Sequence, residues 1–220
     1  LVLVVDEMTP LLHAMLDRFH ALAHPDADGV ERARPFDRDR SGVLAAEGAT
    51  ALLLEPLAAA EARGATPLFA VLGQGAAFDP SAPNRDWGVG ADGLARALGR
   101  LLARHRLEPS ALDRIVSGAA GSRRGDRLEA LTLRGVWGER PLPPVEAPKA
   151  TFGEYGGGFL AAAALLASGA PAGPTPGFRA SDPELGVSPR RGPAPPPPRR
   201  TLVSALASSG AAAWALLERP

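Results

Sequence analysis

The chain has 220 residues, no cysteine and a formal net charge of zero. Without cysteine these residues can form no disulfide, thiolate metal site or cysteine nucleophile. The neutral charge balance also gives no electrostatic case for binding nucleic acid or acidic lipid. No apolar run reaches the ~20 residues of a transmembrane helix, and the apolar run at the start is too short for a signal-peptide core.

The first forty residues predict a strand, a helix and a loop. Leu1–Val5 is wholly apolar and predicts a buried strand of a parallel sheet. Pro10 then opens a helical pattern, and its apolar face comprises Leu11, Leu12, Met15, Leu16, Phe19 and Leu22. His20 and His24 have i,i+4 spacing but no acidic ligand in the pattern, which favours solvated side chains over a metal site. The charged, proline-interrupted stretch Pro25–Arg40 predicts a surface loop.

The next thirty residues predict short apolar strands around one short helix. Val43–Glu55 indicates a strand pair or a bent strand, and Pro56–Arg63 indicates a helix ended by Gly64. Pro67–Leu72 predicts a strand that leaves through Gly73-Gln74-Gly75. This is not interpreted as a dinucleotide-binding loop, because no helix follows and the third glycine is missing.

The middle of the chain predicts two helices between strands. Ala91–Arg106 is amphipathic, and its inward side chains are Leu94, Leu98, Leu101 and Leu102. Asp113–Ser117 predicts a strand, and Asp126 is expected to cap a helix that runs to Val136. Val145–Ala147 predicts a further short strand that leads into Lys149.

Lys149 is the only lysine among 24 basic residues, and a glycine-rich segment and an apolar helix follow it. Phe159–Ser168 is apolar on every face, so as a helix it must be buried. The glycines of Gly153–Gly158 disfavour a helix, which indicates that another group approaches this backbone closely.

The last fifty residues predict a long loop and a hairpin. The loop of about thirty residues includes the proline-rich segment Arg190–Arg200, which favours an extended conformation. Thr201–Ala207 and Ala211–Leu217 predict an antiparallel hairpin. Because strands alternate with helices along the chain, we expect an α/β fold with a mostly parallel sheet covered by helices on both faces.

Four sequence blocks resemble the thiolase-fold β-ketoacyl-ACP synthases, and within them most closely the chain-length-factor subunits. The blocks are Pro35-Phe36-Asp37-x-x-Arg40-x-Gly42 with Glu47-Gly48-Ala49; Ala119-Ala120-Gly121 through Asp126-Arg127-Leu128-Glu129-Ala130; Ala147-Pro148-Lys149 with Gly153; and Pro174-Thr175 followed by Asp182-Pro183-Glu184. The resemblance implies that residues 35–220 form the C-terminal half of a two-half fold. Residues 1–34 would then be the last strand and helix of the N-terminal half, and the family's nucleophilic cysteine would lie upstream of Leu1.

The resemblance also implies that no catalytic side chain is intact here. Condensing members of the family use two histidines at the thioester oxygen, and the matching positions are Gly118 and Glu154. Lys149, Glu129 and Asp126 match retained active-site positions, and Lys149 is expected to form an ion pair with Glu129. The family's gating loop corresponds to Ala207, Ser208, Ser209 and Gly210.

These substitutions favour a non-catalytic, chain-length-factor-like subunit of polyketide or fatty-acid biosynthesis. Its expected partners are an active ketosynthase subunit in a heterodimer and an acyl carrier protein with its acyl chain; no nucleic acid, membrane, cofactor or metal is expected. The resemblance implies a cytoplasmic protein. Two alternatives stay open, which are a divergent condensing enzyme that uses Lys149 and Glu154, and an inactive structural remnant.

Overall fold

The computed structural model describes all 220 residues as seven strands and six α-helices. The strands are β1 (Val2–Asp6), β2 (Gly48–Leu52), β3 (Ala70–Phe78), β4 (Arg114–Ser117), β5 (Val145–Glu146), β6 (Arg200–Leu206) and β7 (Ala211–Glu218). The helices are α1 (Pro10–Arg18), α2 (Leu57–Ala62), α3 (Ala91–Arg104), α4 (Arg123–Trp137), α5 (Lys149–Phe152) and α6 (Gly156–Ala167). None of these helices is both long and apolar enough to cross a membrane.

Five strands form one mixed sheet in the order β3-β7-β6-β4-β5. β4 runs parallel to both β5 and β6, whereas β7 is antiparallel to both β6 and β3. The α/β class and the mostly parallel sheet are confirmed, because β3, β4, β5 and β6 run in one direction and only β7 runs in the opposite one. The turn between β6 and β7 is too short for a parallel crossover, so the predicted hairpin forms and reverses the direction of the chain.

β1 and β2 form a separate two-stranded antiparallel sheet. The prediction of a buried strand at Leu1–Val5 in a parallel sheet is therefore wrong, because this strand pairs with β2 outside the five-stranded sheet. Leu3 and Val5 are 61% and 63% exposed, because only one face of this narrow sheet packs against a helix. β1 lies before the predicted domain boundary between residues 34 and 35, and β2 lies after it. The division of the chain at this boundary remains a prediction.

Helix α6 lies between the two sheets, which explains why its sequence is apolar on every side. Ala163 and Leu166 pack against Val116 of β4. On the opposite side, the hydroxyl of Thr50 in β2 donates a 2.7 Å hydrogen bond to the carbonyl of Gly157. Most of the helix is buried, although Leu165 remains 51% exposed in this chain.

Helices α3 and α4 cover the other face of the five-stranded sheet. The four inward leucines predicted for α3 are all buried, and they share one core with Ile115 of β4 and Leu202 of β6. α4 begins earlier than predicted, because the Ser122 hydroxyl caps it by accepting a hydrogen bond from the Gly125 N–H. Asp126 is therefore not the helix cap, and its carboxylate accepts hydrogen bonds from backbone N–H groups outside α4.

Two predicted loops differ from the structure. The segment Pro25–Arg40 is not wholly at the surface, because its last residues turn inward and bury Arg34, Phe36 and Asp37. β3 continues through Gly73-Gln74-Gly75 to Phe78, with a shift of register against β7 between Val71 and Gly73, instead of leaving the sheet there. The predicted α2 helix and the β6–β7 hairpin are confirmed.

Candidate functional site

Asp126 of α4 connects two of the sequence blocks that are far apart in the chain. Its Oδ2 accepts a 2.8 Å hydrogen bond from the Phe36 N–H, and its Oδ1 accepts from the N–H groups of Ala120 and Gly121, both at 3.2 Å. Burial raises the pKa of Asp126 to about 6, although these donors and the Arg40 guanidinium, 4.0 Å away, act to lower it. This carboxyl group therefore holds the backbone around the site in place.

Arg40 links the same centre to the fourth block. Its Nη1 donates to Asp182 Oδ2 at 2.7 Å and to the Asp37 carbonyl, and its Nη2 donates to the Arg123 carbonyl. The Asp37 carboxylate in turn accepts from the N–H groups of Arg179 and Ala180. The sequence analysis recognised Asp37, Arg40 and Asp182 as motif members but missed this buried network. Their opposite charges in separate blocks were a signal that could have revealed it.

Glu129 lies one helical turn after Asp126 and is also buried. Its Oε1 accepts a 3.3 Å hydrogen bond from the Gly118 N–H. Burial raises the pKa of Glu129 to about 7, and the Asp126 charge acts in the same direction, whereas the hydroxyls of Ser204 and Ser117 and the Lys149 charge lower it. The Ser204 hydroxyl faces this carboxyl group, but it makes no hydrogen bond of acceptable geometry.

Lys149 pairs with Glu154 and not with Glu129. Its Nζ lies 2.5 Å from Glu154 Oε1, and no Glu129 oxygen lies within 4.0 Å of it, so the predicted Lys149–Glu129 ion pair is wrong. Gly153 has φ +80°, and this turn brings the carboxylate of the next residue back onto the ammonium group at the start of α5. Lys149 is 11% exposed, and it also lies 5.4 Å from the centre of the Phe159 ring.

Gly118 lies against β6 with little space for a side chain. A Cβ atom built on it would lie 3.0 Å from the carbonyl oxygen of Ser204 and 3.2 Å from the Cα of Ala205. Contacts this short would require β6 to move by a few tenths of an ångström. A histidine at this position therefore needs a rearranged strand as well as a changed residue.

The gating-loop position is a tight turn between β6 and β7. Ser209 adopts φ +69°, its N–H donates to the Asp86 carbonyl, and its hydroxyl donates to the Asn84 carbonyl. The Asp79 N–H donates to the Gly210 carbonyl. These bonds hold the turn against the segment that connects β3 and α3.

Four of the expected site residues thus lie in one neighbourhood around Glu129, whereas the gating-loop position contacts the segment between β3 and α3 instead. The Gly118 N–H donates a hydrogen bond to Glu129, and the Lys149 charge acts to lower the pKa of Glu129. Glu154 forms an ion pair with Lys149. Neither of the two positions matched to histidines carries a neutral side-chain donor. The side chains that remain are the carboxyl groups of Asp126, Glu129 and Glu154 and the ammonium group of Lys149.

Comparison with known proteins gives relatives in sequence and in structure. The chain is 30% identical over 187 residues to the tetracenomycin polyketide synthase ketoacyl synthase alpha subunit of Streptomyces glaucescens, which covers 80% of this chain and 42% of that protein. It is 31% identical over 142 residues to 3-oxoacyl-[acyl-carrier-protein] synthase 2 of Mycobacterium bovis, covering 63% of this chain and 33% of that protein. The solved structure of the ishigamide ketosynthase/chain length factor matches with a TM-score of 0.85 and 29% identity, over 98% of this chain and 52% of that one.

The chain belongs to the thiolase-like β-ketoacyl synthase family.

As a member of the β-ketoacyl synthase family, the chain spans less than half the length of the curated relatives it matches. No family model matches it. The β-ketoacyl synthase fold is nevertheless present over almost the whole chain, as the structural coverage shows. The buried network of Asp37, Arg40, Asp126 and Asp182 accounts physically for three of the four blocks by which the family resemblance was recognised.

Proposed function

We propose that this chain is part of a non-catalytic, chain-length-factor-like subunit, which pairs with an active ketosynthase and shapes the acyl chain presented by an acyl carrier protein. One observation carries the proposal. The two positions matched to the family's histidines hold a glycine packed against a strand and a glutamate bound to a lysine.

Catalysis in this family depends on hydrogen-bond donors at the thioester oxygen. Condensation and malonyl decarboxylation build up negative charge, and each missing donor at such an oxygen costs roughly 10²–10³ in rate. Gly118 has no side chain, and its N–H already donates to Glu129. Glu154 is an acceptor when ionised, and its carboxylate would repel an enolate.

The partner assignment rests on the relatives. One relative is named as an alpha subunit, and one structural neighbour is named as a ketosynthase together with a chain length factor. The division into residues 1–34 and 35–220, as parts of two halves, belongs to the same proposal. The outer face of the β1–β2 sheet supports it, because this face exposes the apolar side chains of Leu3 and Val5, and exposed apolar patches mark interaction surfaces.

A divergent condensing enzyme is the second candidate, because Lys149 and Glu154 are close enough to exchange a proton. In that case the Lys149 ammonium group would donate a hydrogen bond to the thioester oxygen and stabilise its negative charge as carbon dioxide leaves, and Glu154 would hold the ammonium group in place. The two candidates predict opposite results for one measurement.

The measurement is carbon dioxide release from a malonyl-carrier protein by the protein at its natural length, alone and with its ketosynthase partner. We expect no release without the partner, and copurification with it. We also expect Glu154→His to leave this inactivity unchanged, since Gly118 still lacks a donor. Partner-free release that Lys149→Met abolishes would establish the condensing enzyme instead, and inactivity without copurification would leave only the structural remnant.

A further inference from the structure

The four strands of the five-stranded sheet that share one direction all end at the same edge. These strands are β3, β4, β5 and β6, and a loop, a turn or a helix follows each of them there. Gly118 directly follows β4, and Lys149 begins the helix that follows β5. In open α/β sheets, ligands bind outside the carboxyl ends of the strands. The Glu129 neighbourhood therefore lies at the edge where a ligand would enter.

The loop that follows β3 crosses this edge instead of remaining beside its own strand. The β3–α3 loop comprises residues 79–90, and β7 and β6 lie between β3 and β4 in the sheet. In the turn after β6, the Ser209 N–H donates a 2.8 Å hydrogen bond to the Asp86 carbonyl. The Asp86 carboxylate forms an ion pair with Arg124, in the first turn of α4. The loop therefore reaches from the end of β3 to the helix that carries Glu129.

Trp87 of the β3–α3 loop packs on the face of α4 that carries Glu129. Gly125 and Glu129 have i,i+4 spacing, so they share one face of the helix, and a helical side chain leans back over the preceding turn. A Cβ atom on Gly125 would lie 2.5 Å from ring atom Cζ2 of Trp87, so the ring occupies the space that a side chain there would need. Trp87 also packs against the main hydrophobic core, whereas Val89 in the same loop is 87% exposed. The ring thus covers the turn of α4 immediately before Glu129.

We propose that Trp87 closes the carboxyl edge of the sheet over Glu129, and thereby excludes small molecules, acyl chains included, from this side of the site. Both the turn after β6 and the start of α4 hold the β3–α3 loop in this position. Glu129 is 2% exposed, and Ser204 beside it is completely buried, as a closed site requires. Closure limits access and not turnover, so it is independent of the proposed function.

Because the chain has no cysteine, a single introduced thiol can report access to the closed space. Ser204→Cys places this thiol beside Glu129. We expect N-ethylmaleimide to label it slowly in the folded protein, measured as the excess over the protein without the substitution. Adding Trp87→Ala should raise the labelling rate by at least about tenfold, since labelling then requires no opening of the loop. Val89→Ala changes an exposed side chain of the same loop and should leave the rate unchanged.

A second reporter separates local access from a general loss of stability. Ala163→Cys places the thiol in α6, on the opposite side of the five-stranded sheet from α4, and its labelling rate should change less than about twofold when Trp87→Ala is added. Gly125→Ala keeps the tryptophan but displaces its ring from α4, so it should also raise labelling at residue 204. This variant tests the same contact if Trp87→Ala does not fold. Equal labelling of Ser204→Cys with and without Trp87, or an equal increase at both reporters, would overturn the proposal.

Discussion

The ring of Tyr155 lies against the backbone of Gly158, at the first turn of α6. A Cβ atom on Gly158 would lie 2.5 Å from ring atoms Cε1 and Cζ. The ring cannot simply swing aside, because it also lies close to Gly48 and Gly157. The glycines that interrupt the helical pattern therefore make room for an aromatic side chain between α6 and the two-stranded sheet.

Gly158→Ala should consequently destabilise the protein, even though alanine favours a helix. We expect the overpacking against Tyr155 to outweigh the propensity gain and to lower the free energy of unfolding by about 1–2 kcal/mol. Gly99→Ala is the matched control, since no atom lies within 4 Å of its added Cβ and it is expected to stabilise α3 by about 0.5–1 kcal/mol. Urea unfolding of both variants checks the prediction, and equal effects in both would contradict the Tyr155 contact.

Glu154→Gln should remove the carboxylate partner of Lys149 and leave a mostly buried ammonium group. Since the Glu154 side chain is 37% exposed, solvent screens the pair, and we expect a loss of only about 1 kcal/mol in the free energy of unfolding. Glu139→Gln, at an exposed position, is expected to have no measurable effect. A Glu154 variant as stable as the Glu139 variant would show that the ion pair contributes nothing to stability.

The raised pKa of Glu129 predicts a particular pH dependence of stability. The folded chain holds this proton up to about pH 7, whereas the unfolded chain releases it near its ordinary value of 4.5. The contribution of Glu129 to stability is therefore most favourable below pH 4.5, and it declines as the pH rises to about 7. Glu129→Gln has no titrating group at this position, so its free energy of unfolding does not decline in this way. The difference in free energy of unfolding between the variant and the unmodified chain should therefore shift in favour of the variant between pH 4.5 and 7.5, by on the order of 3 kcal/mol. A difference that stays constant over this pH range would exclude the raised pKa.

Asp126→Ala should be among the most damaging single substitutions. It leaves the buried N–H groups of Phe36, Ala120 and Gly121 without an acceptor, and each such loss costs about 1–3 kcal/mol. We expect the free energy of unfolding to fall by more than about 3 kcal/mol. The corresponding change at Asp92, an exposed acid in the first turn of α3, should cost about 0.5 kcal/mol. Thermal unfolding distinguishes the two outcomes directly.

Local pattern was sufficient for the elements whose neighbours are close in the chain. The leucine spacing determines the helix α3, and the short turn determines the β6–β7 hairpin. In both cases the residues involved lie within about twenty positions of each other. The pairing of β1 with β2 was missed because it joins residues more than forty positions apart. An apolar run of five residues indicates a strand, but it contains no information on the direction of its neighbour.

The sequence predicted which residues belong to the site, but not which of them contact each other. The family resemblance brought Lys149, Glu129 and Glu154 to attention, yet it suggested the wrong partner for the lysine. The positive φ of Gly153 decides that pairing, and a glycine in a sequence does not reveal which way it turns. The buried end of the segment Pro25–Arg40 was missed for a related reason, since charged residues are expected at the surface unless their partners are known.

The position of α6 between two sheets has a consequence for how the chain folds. This helix is apolar on every side and is mostly buried, so it gains most of its stability only when β1–β2 and the five-stranded sheet are both in place. Its partners come from residues near the start, the middle and the end of the chain, which makes it a late and slow element to dock. Until then the chain exposes a twelve-residue apolar segment, and its productive folding competes with aggregation through that segment.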